Sequence, residues 1–411
     1  MSSVRNTIIA LTSVVLVLAA AHKPLSVLSA QGAQARVASD GSLPKDIDPM
    51  TRNRLPPIKR EQLSEANRRA YDAAGPNGPQ GAALLRLHRS GLSARWDPPL
   101  GRQLAELAII TTAREHDQPY EWSLHEMEAH SVGVDREIID IVRHKGALTA
   151  VPEREATIIQ LAREIFGQHE LRSETYARAL TLLGKTNLVD IVDLMAGYAG
   201  TAVNLTAANQ WMPPQMKQLL PLPFTMPDDI LPDSRSRIPS ENPNNPSQGQ
   251  PGVQGDGMYR RTLAPPPTGP GAMSRFADGL KSLESGQGRA LMGLAILATA
   301  REHNQQYDWT MNEPIAVKDG LSAAVIDVVR HRRSLTGLGE KEATLILFIR
   351  ELFQQHYVTA ATYARAKKVF GQRDLSDFVV GLISQHARDA GMLSAFDQRL
   401  PAGQTPLLPV P

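Results

Sequence analysis

GRQLAELAIITTAREHDQPYEWSLHEMEAH, from Gly101 to His130, is the stretch that decides the fold. It recurs as GRALMGLAILATAREHNQQYDWTMNEPIAV from Gly288, at an offset of 288 − 101 = 187 residues. Over the first hundred aligned positions roughly four in ten residues are identical, which is far above chance for a fixed offset. The chain is therefore predicted to be a tandem duplication of one domain.

Apolar residues recur at helical spacing through this stretch. Leu104, Leu107 and Ile110 predict a helix over residues 100–116. Pro119 suits a first helical turn and Gly133 a C-terminal cap, so the next helix is predicted over 119–131. No convincing run of alternating strand residues follows, and the predicted fold class is all-α. Further helices are predicted over 135–144, 152–169, 174–183 and 187–208.

Composition divides the chain into four parts. Residues 1–35 have a basic start, an apolar run and small residues before the end, which is typical of a secretory signal peptide. Residues 222–270 are rich in Pro, Gly, Asn and Ser, which predicts a flexible linker. The two domains are predicted over 57–221 and 271–400. The mature protein is expected to be exported, periplasmic or secreted, with no membrane contact after cleavage.

Composition also excludes several classes of function. The 411 residues include no cysteine, which excludes disulfides, thiol redox chemistry and cysteine metal sites. The net charge is +2 and only 5% of residues are aromatic, so neither a basic field nor a stacking surface favours nucleic acid.

Two carboxylates and a histidine are the candidate catalytic residues. Glu121 and His125 lie four residues apart and share a helix face. Glu106 lies among apolar residues on the preceding helix, where a carboxylate is costly to bury unless it is paired. If the two helices pair, the three groups surround one pocket and suffice for proton transfer at neutral pH. The alternative is a solvated helix pair.

The second copy loses these polar groups. At the fixed offset Glu106 becomes Gly293, His125 becomes Asn312, and Glu121 becomes Asp308. The apolar frame persists. This pattern predicts a site kept in the first copy and degenerate in the second, although neutral surface drift gives the same pattern.

A metal site is a weaker alternative. Glu106, Glu121, His125 and His130 are possible ligands, but the two histidines are five residues apart and not four as on a zincin helix. No metal and no cofactor is therefore predicted.

The order of these features resembles the carboxymuconolactone decarboxylase family, which includes the alkyl-hydroperoxidase D-like proteins. The resemblance covers residues 57–221 and 271–400. It implies an all-helical fold and a homo-oligomer, here a trimer of two-domain chains. The matching residues are the helix that carries Glu106, the run Tyr120-Glu121-Trp122-Ser123-Leu124-His125, then Gly133 and Ile138-Ile139.

The resemblance also implies a chemistry. In the peroxidase branch two cysteines react, and their positions fall here on Gln118 and Glu121, so thiol peroxidase activity is disfavoured. The decarboxylase branch implies cofactor-free acid–base catalysis on a small carboxylated substrate, with Glu106 orienting His125, and with His125 or Glu121 supplying a proton.

Three further residues are predicted to bind substrate. Arg102 and Arg114 are the candidates for holding the substrate carboxylate, together with His130. Because the chain is expected to be exported, a different small lactone or keto acid is an alternative substrate. A non-catalytic helical assembly or binding protein is the alternative function.

Overall fold

The described part of the chain consists of helices and their connections. The computed structural model describes residues 43–74, 78–212, 216–221, 229–232, 234–239 and 270–410, with the backbone alone at 66 and 270–276. Within these ranges there is no β-strand, only one bridge between Leu231 and Ser236. The predicted all-α class is confirmed. The predicted signal peptide lies outside the described residues.

The first half contains eight of the described helices. Those predicted from apolar spacing begin and end within two residues of the predicted bounds, with one exception. Helix α6 ends at Ala162, and a π-helical segment at Arg163–Gln168 occupies most of the residues predicted as its last turns. Capping side chains mark the start of several helices. At the start of α5, for example, the side chain of Asp135 accepts a hydrogen bond from the backbone N–H of Glu137. The helices are α1 Glu65–Ala73, α2 Gly81–Leu85, α3 Arg102–Glu115, α4 Pro119–Ser131, α5 Arg136–Arg143, α6 Glu153–Ala162, α7 Ser173–Leu183 and α8 Lys185–Ala208.

The described helices of the second half follow the same order. Helices α10, α11 and α12 have the bounds of α3, α4 and α5 shifted by 289 − 102 = 187 residues. Gly371 lies inside α14 with a φ of 77°, as Gly184 does between α7 and α8 with a φ of 76°. The helices are α9 Pro270–Gln287, α10 Arg289–Glu302, α11 Gln306–Lys318, α12 Ala323–Arg330, α13 Glu340–Arg350, α14 Ala360–Phe378 and α15 Ser384–Ala395.

Each half builds a core, and α8 and α15 join the two. A Cβ at Gly200 of α8 would lie 3.1 Å from the backbone oxygen of Ser384, so the absence of a side chain lets the helices approach closely. Helix α8 is the one described helix that is long and apolar enough to cross a membrane. Because 89% of its most apolar window is buried inside the fold, its apolarity is that of a core helix.

Two short arms pack across the halves. The first arm, residues 46–54, ends at Arg54, whose backbone N–H donates to Phe396 O over 2.9 Å. The Arg54 guanidinium bonds Asp46 over 2.9 Å and lies 4.8 Å from the centre of the Tyr176 ring. The arm thus connects α7 of its own half to the end of α15 in the other.

The second arm, residues 229–237 as far as they are described, repeats this arrangement at the end of α8. Arg237 N–H donates to Ala208 O over 2.8 Å, and its guanidinium bonds Asp229 over 2.7 Å. The same guanidinium lies 4.9 Å from the Tyr363 ring.

The two arms are related in sequence, as DIDPMTRNR and DILPDSRSR at an offset of 229 − 46 = 183 residues. The second arm is packed against the helices, whereas a flexible linker was predicted over 222–270. Its arginines form hydrogen bonds and ring contacts that composition does not reveal. The rest of that linker lies outside the described residues. Residues 43–410 are one compact unit, and the predicted domain borders inside it stay a prediction.

Candidate functional site

The hairpin of α3 and α4 holds the candidate catalytic residues. Its tight connection has Asp117 at a φ of 48°, and the side chain of Gln118 accepts hydrogen bonds from the backbone of Tyr120 and Glu121. Pro119 occupies the first turn of α4, where its missing N–H costs nothing. The connection turns α4 back along α3 and places Glu106 opposite His125.

Glu106 and His125 form a buried pair. The Nδ1 atom of His125 lies 2.7 Å from Oε2 of Glu106, and both side chains are almost fully shielded from solvent. The guanidinium of Arg102 lies 3.1 Å from Oε1 of Glu106 and 3.1 Å from Glu128. The glutamate is therefore anchored on one oxygen by a cation and on the other by the imidazole.

The protonation states of this pair follow from its surroundings. Burial raises the pKa of Glu106, but the hydrogen bond from His125 and the charges of Arg95 and Arg102 outweigh it, so the pKa lies below its ordinary value. Burial lowers the pKa of His125, which the Glu106 carboxylate opposes without reversing. At pH 7 Glu106 is ionised and His125 neutral. Since a carboxylate only accepts, Nδ1 carries the proton and Nε2 is the basic nitrogen.

Glu121 lies one helical turn from His125 and has the opposite protonation state. It is 1% exposed, and neither carboxyl oxygen has a hydrogen-bond partner among the described residues. Burial raises the pKa of Glu121 well above its ordinary value, against the charge of Arg95. Burial thus favours the protonated form of this side chain. We call Glu106, Glu121 and His125 the acid–base cluster.

Arg95 is the cation shared by the acid–base cluster, since its charge acts on all three pKa values. Its guanidinium carbon lies 4.2 Å from the centre of the Trp96 ring and 5.7 Å from that of Tyr198. The Tyr198 ring meets the His125 ring edge-on at 4.9 Å. A cation and two aromatic rings therefore border the acid–base cluster.

Arg95, Trp96 and Tyr198 were not predicted as site residues. Arg95 and Trp96 lie in a loop ahead of α3, where no helical period marks them. Comparison of the two repeats could have indicated Arg95 and Trp96, because the second half has Ser282 and Leu283 at the matching positions.

The structure brings Arg102 to the acid–base cluster but not Arg114 or His130. Arg114 lies near the end of α3, pairs with Asp117 and donates to Arg143 O over 2.7 Å. His130 is exposed at the end of α4, 3.7 Å from Glu126. Neither side chain forms a hydrogen bond or ion pair with the acid–base cluster within the described ranges, and their role in binding substrate stays a prediction.

The second half has a different arrangement at the matching positions. A Cβ at Gly293 would lie 2.8 Å from the Cβ of Ala316, so this site has no room for the counterpart of Glu106. Asp308, the counterpart of Glu121, accepts from Asn312 over 2.8 Å and bonds Nδ1 of His386 over 2.8 Å. Burial lowers the pKa of His386, but the Asp308 carboxylate outweighs it and raises the pKa.

No group of three or more His, Asp or Glu side chains within the described ranges is arranged to hold a metal ion. Comparison with models of protein families, with curated proteins and with solved structures finds no match in any of the three. The acid–base cluster itself is thus the basis for a functional proposal.

Proposed function

We propose that the chain is an exported acid–base enzyme of the carboxymuconolactone decarboxylase type, whose two halves are copies of one domain. It acts without a cofactor on a small carboxylated lactone or keto acid. The first half carries the reaction and the second half supports it structurally.

The observation that carries this proposal is the coexistence of a protonated acid and a neutral base on one helix face. Glu121 is buried without a hydrogen-bond partner among the described residues, and its pKa is raised. His125 is held by Glu106 in the tautomer with a basic Nε2. Groups whose surroundings drive their pKa values apart in this way are typical of paired acid and base roles.

Decarboxylation uses the cluster as follows. Arg95 and Arg102 bind the substrate carboxylate and lactone oxygen. The bond from carbon to the carboxylate breaks, carbon dioxide leaves, and the electron pair moves into the conjugated lactone carbonyl. Glu121 delivers its proton to carbon. Nε2 of His125, one helical turn away, takes a proton from solvent and returns it to the Glu121 carboxylate, which completes the cycle. With a keto acid, Nε2 of His125 removes the proton next to the carbonyl, the electron pair of that bond moves into the carbonyl, and Glu121 protonates the resulting enolate oxygen.

A decarboxylation assay tests the proposal. The purified protein is incubated with carboxymuconolactone and loss of substrate is followed by absorbance, with His125→Ala alongside. We expect turnover in the wild type and a loss of about 100-fold or more in the variant, which is the usual contribution of a positioned acid or base. Asn312→Ala, at the matching position of α11, is the control that keeps activity. Equal turnover in wild type and His125→Ala would remove the proposed site.

A non-catalytic assembly is the second candidate, because α11 exposes apolar side chains. Met311, Ile315 and Val317 are 38%, 56% and 52% exposed, and such groups favour a contact between copies. The proposed oligomer is a trimer of two-domain chains. Sedimentation of wild type and Ile315→Lys tests it: a trimer that dissociates in the variant supports the assembly, and a monomeric wild type contradicts it.

A further inference from the structure

A cavity of about 370 Å³ lies where the first arm meets the second half. Its wall includes Arg52 of the first arm, Leu55 directly after that arm, Leu84 of α2 and Tyr307 of α11. The volume is within the range of about 300–1,000 Å³ that is usual for sites enclosing small molecules. None of the residues of the acid–base cluster lines it, so it is a separate feature of the fold.

The cavity wall is apolar and basic, with no acidic side chain. Arg52 and Arg399 bring guanidinium groups, and neither Asp nor Glu is among the lining residues. Arg399 bonds Asp397 over 2.8 Å. Arg52 forms no ion pair within the part of the chain that the structure describes, and its Nε donates to Leu400 O, which fixes the group at the wall. The uncompensated charge favours an anion.

His88 adds a neutral hydrogen-bonding group to the same wall. It is 7% exposed, and its Nδ1 has no partner among the described residues. Burial, reinforced by the charge of Lys185, lowers the pKa of His88 to about 4, so the ring is uncharged at pH 7. A buried polar atom without a partner costs about 1–3 kcal/mol, and a ligand that bonds it removes that cost.

We propose that this cavity binds a small monocarboxylate with an apolar body, whose carboxylate pairs with Arg52 and whose body packs on Leu55, Leu84 and Tyr307. The guanidinium of Arg52 favours a negatively charged ligand, and the apolar wall favours a ligand with an apolar body. Because the wall comes from both halves, the bound acid also stabilises the contact between them.

Calorimetric titration of the full chain with 4-phenylbutyrate tests the proposal, with 4-phenylbutanamide as the neutral analogue of the same shape. We expect the acid to bind with a Kd below about 1 mM, as suits a small ligand. The amide is expected to bind at least tenfold more weakly, because it cannot form the charge-assisted pair with Arg52.

Three variants locate the binding. Arg52→Gln is expected to weaken the acid at least tenfold, and Leu84→Trp to abolish binding by filling the cavity while leaving the arm's hydrogen bonds intact. Arg235→Gln is the matched control: it holds the same place in the second arm, where Nε donates to Met212 O over 3.1 Å, and it does not line the cavity. No heat with wild type up to about 10 mM acid, equal affinity for acid and amide, or full affinity in Leu84→Trp would each overturn the proposal.

Discussion

Glu121 and Asp308 occupy the same position in the two halves, but their surroundings give them opposite roles. In the first half the neighbour one turn on, His125, turns to Glu106 and leaves Glu121 with no hydrogen bond among the described residues. In the second half Asn312 and His386 both bond Asp308. One carboxyl is therefore kept as an acid and the other as the centre of a satisfied polar network.

The two matching positions therefore place different demands on folding. A buried carboxyl without partners is unfavourable for folding, so its retention indicates another use. Three neighbouring positions differ along with this pair: Glu106 is matched by Gly293, His125 by Asn312, and Ala199 by His386. The backbone of both hairpins stays the same.

The largest expected effect is on activity. Glu121→Gln keeps the shape of the side chain but removes the transferable proton, so kcat on carboxymuconolactone is expected to fall by about 100-fold or more. Asp308→Asn, the matched change in the second half, is expected to leave kcat within about twofold, because its oxygens are already bonded by Asn312 and His386. Similar losses in both variants would show that the halves share the chemistry.

The stability effects are expected in the reverse order. Asp308→Ala removes the acceptor of His386 and one of the two acceptors of Asn312, which costs about 2–3 kcal/mol in the free energy of unfolding. Glu121→Leu replaces an acid without hydrogen bonds by an apolar group of similar size, so it is expected to be neutral or stabilising. Urea unfolding of the two variants measures both values. A larger loss for Glu121→Leu would contradict the account of its burial.

A smaller effect is expected from Gly293→Ala. Its Cβ would lie 2.8 Å from Ala316, so we expect a loss of about 1–3 kcal/mol from overpacking. The double variant Gly293→Ala, Ala316→Gly relieves the contact and is expected to recover part of this loss in the same urea unfolding experiment. Unchanged stability in the single variant would mean that α10 and α11 separate easily.

The last expected effect is a pH dependence of stability, to which both halves contribute. His116 and His356 have ring centres 6.2 Å apart, and those of His169 and His303 are 5.4 Å apart. Burial lowers the pKa of His116 and of His169 to about 3, so the unfolded chain binds more protons below pH 6.5. The contribution of these two neutral histidines to the free energy of unfolding is fully present above pH 6.5 and is lost as the pH falls towards 3.

Thermal unfolding checks this dependence. Between pH 7 and pH 5 we expect Tm to fall by about 10 °C, since each of the two histidines loses about 2 kcal/mol and one kcal/mol moves the Tm of a large domain by about 2–4 °C. His169→Gln removes one of the titrating groups and is expected to flatten the slope. An unchanged slope would place the pH dependence elsewhere in the chain.

The sequence predicts the helices and the acid–base cluster because both depend on local spacing. The apolar period sets α3 and α4, and the i, i+4 relation puts Glu121 and His125 on one face. Pairing of the hairpin then brings Glu106 within hydrogen-bonding distance of His125. These steps need no knowledge of distant parts of the chain.

Arg95, Trp96 and the arms were not predicted, because their positions depend on distant contacts. Arg95 lies on a loop whose place is set by aromatic rings, one of them on α8. The arms have little apolar content, and their arginines are buried only when a helix end from the other half is present. Arg114 and His130 were predicted to bind substrate from their places in the sequence alone. In the structure Arg114 donates to Arg143 O, and His130 lies near Glu126 at the end of α4.

The protonation state of Glu121 tests the central claim most directly. The infrared spectrum of the protein at pH 7 reports the carbonyl stretching band of a protonated carboxyl group. We expect this band to be present in the wild type, to persist in Asp308→Asn, and to disappear in Glu121→Gln. A band absent from the wild type, or retained in Glu121→Gln and lost in Asp308→Asn, would contradict it.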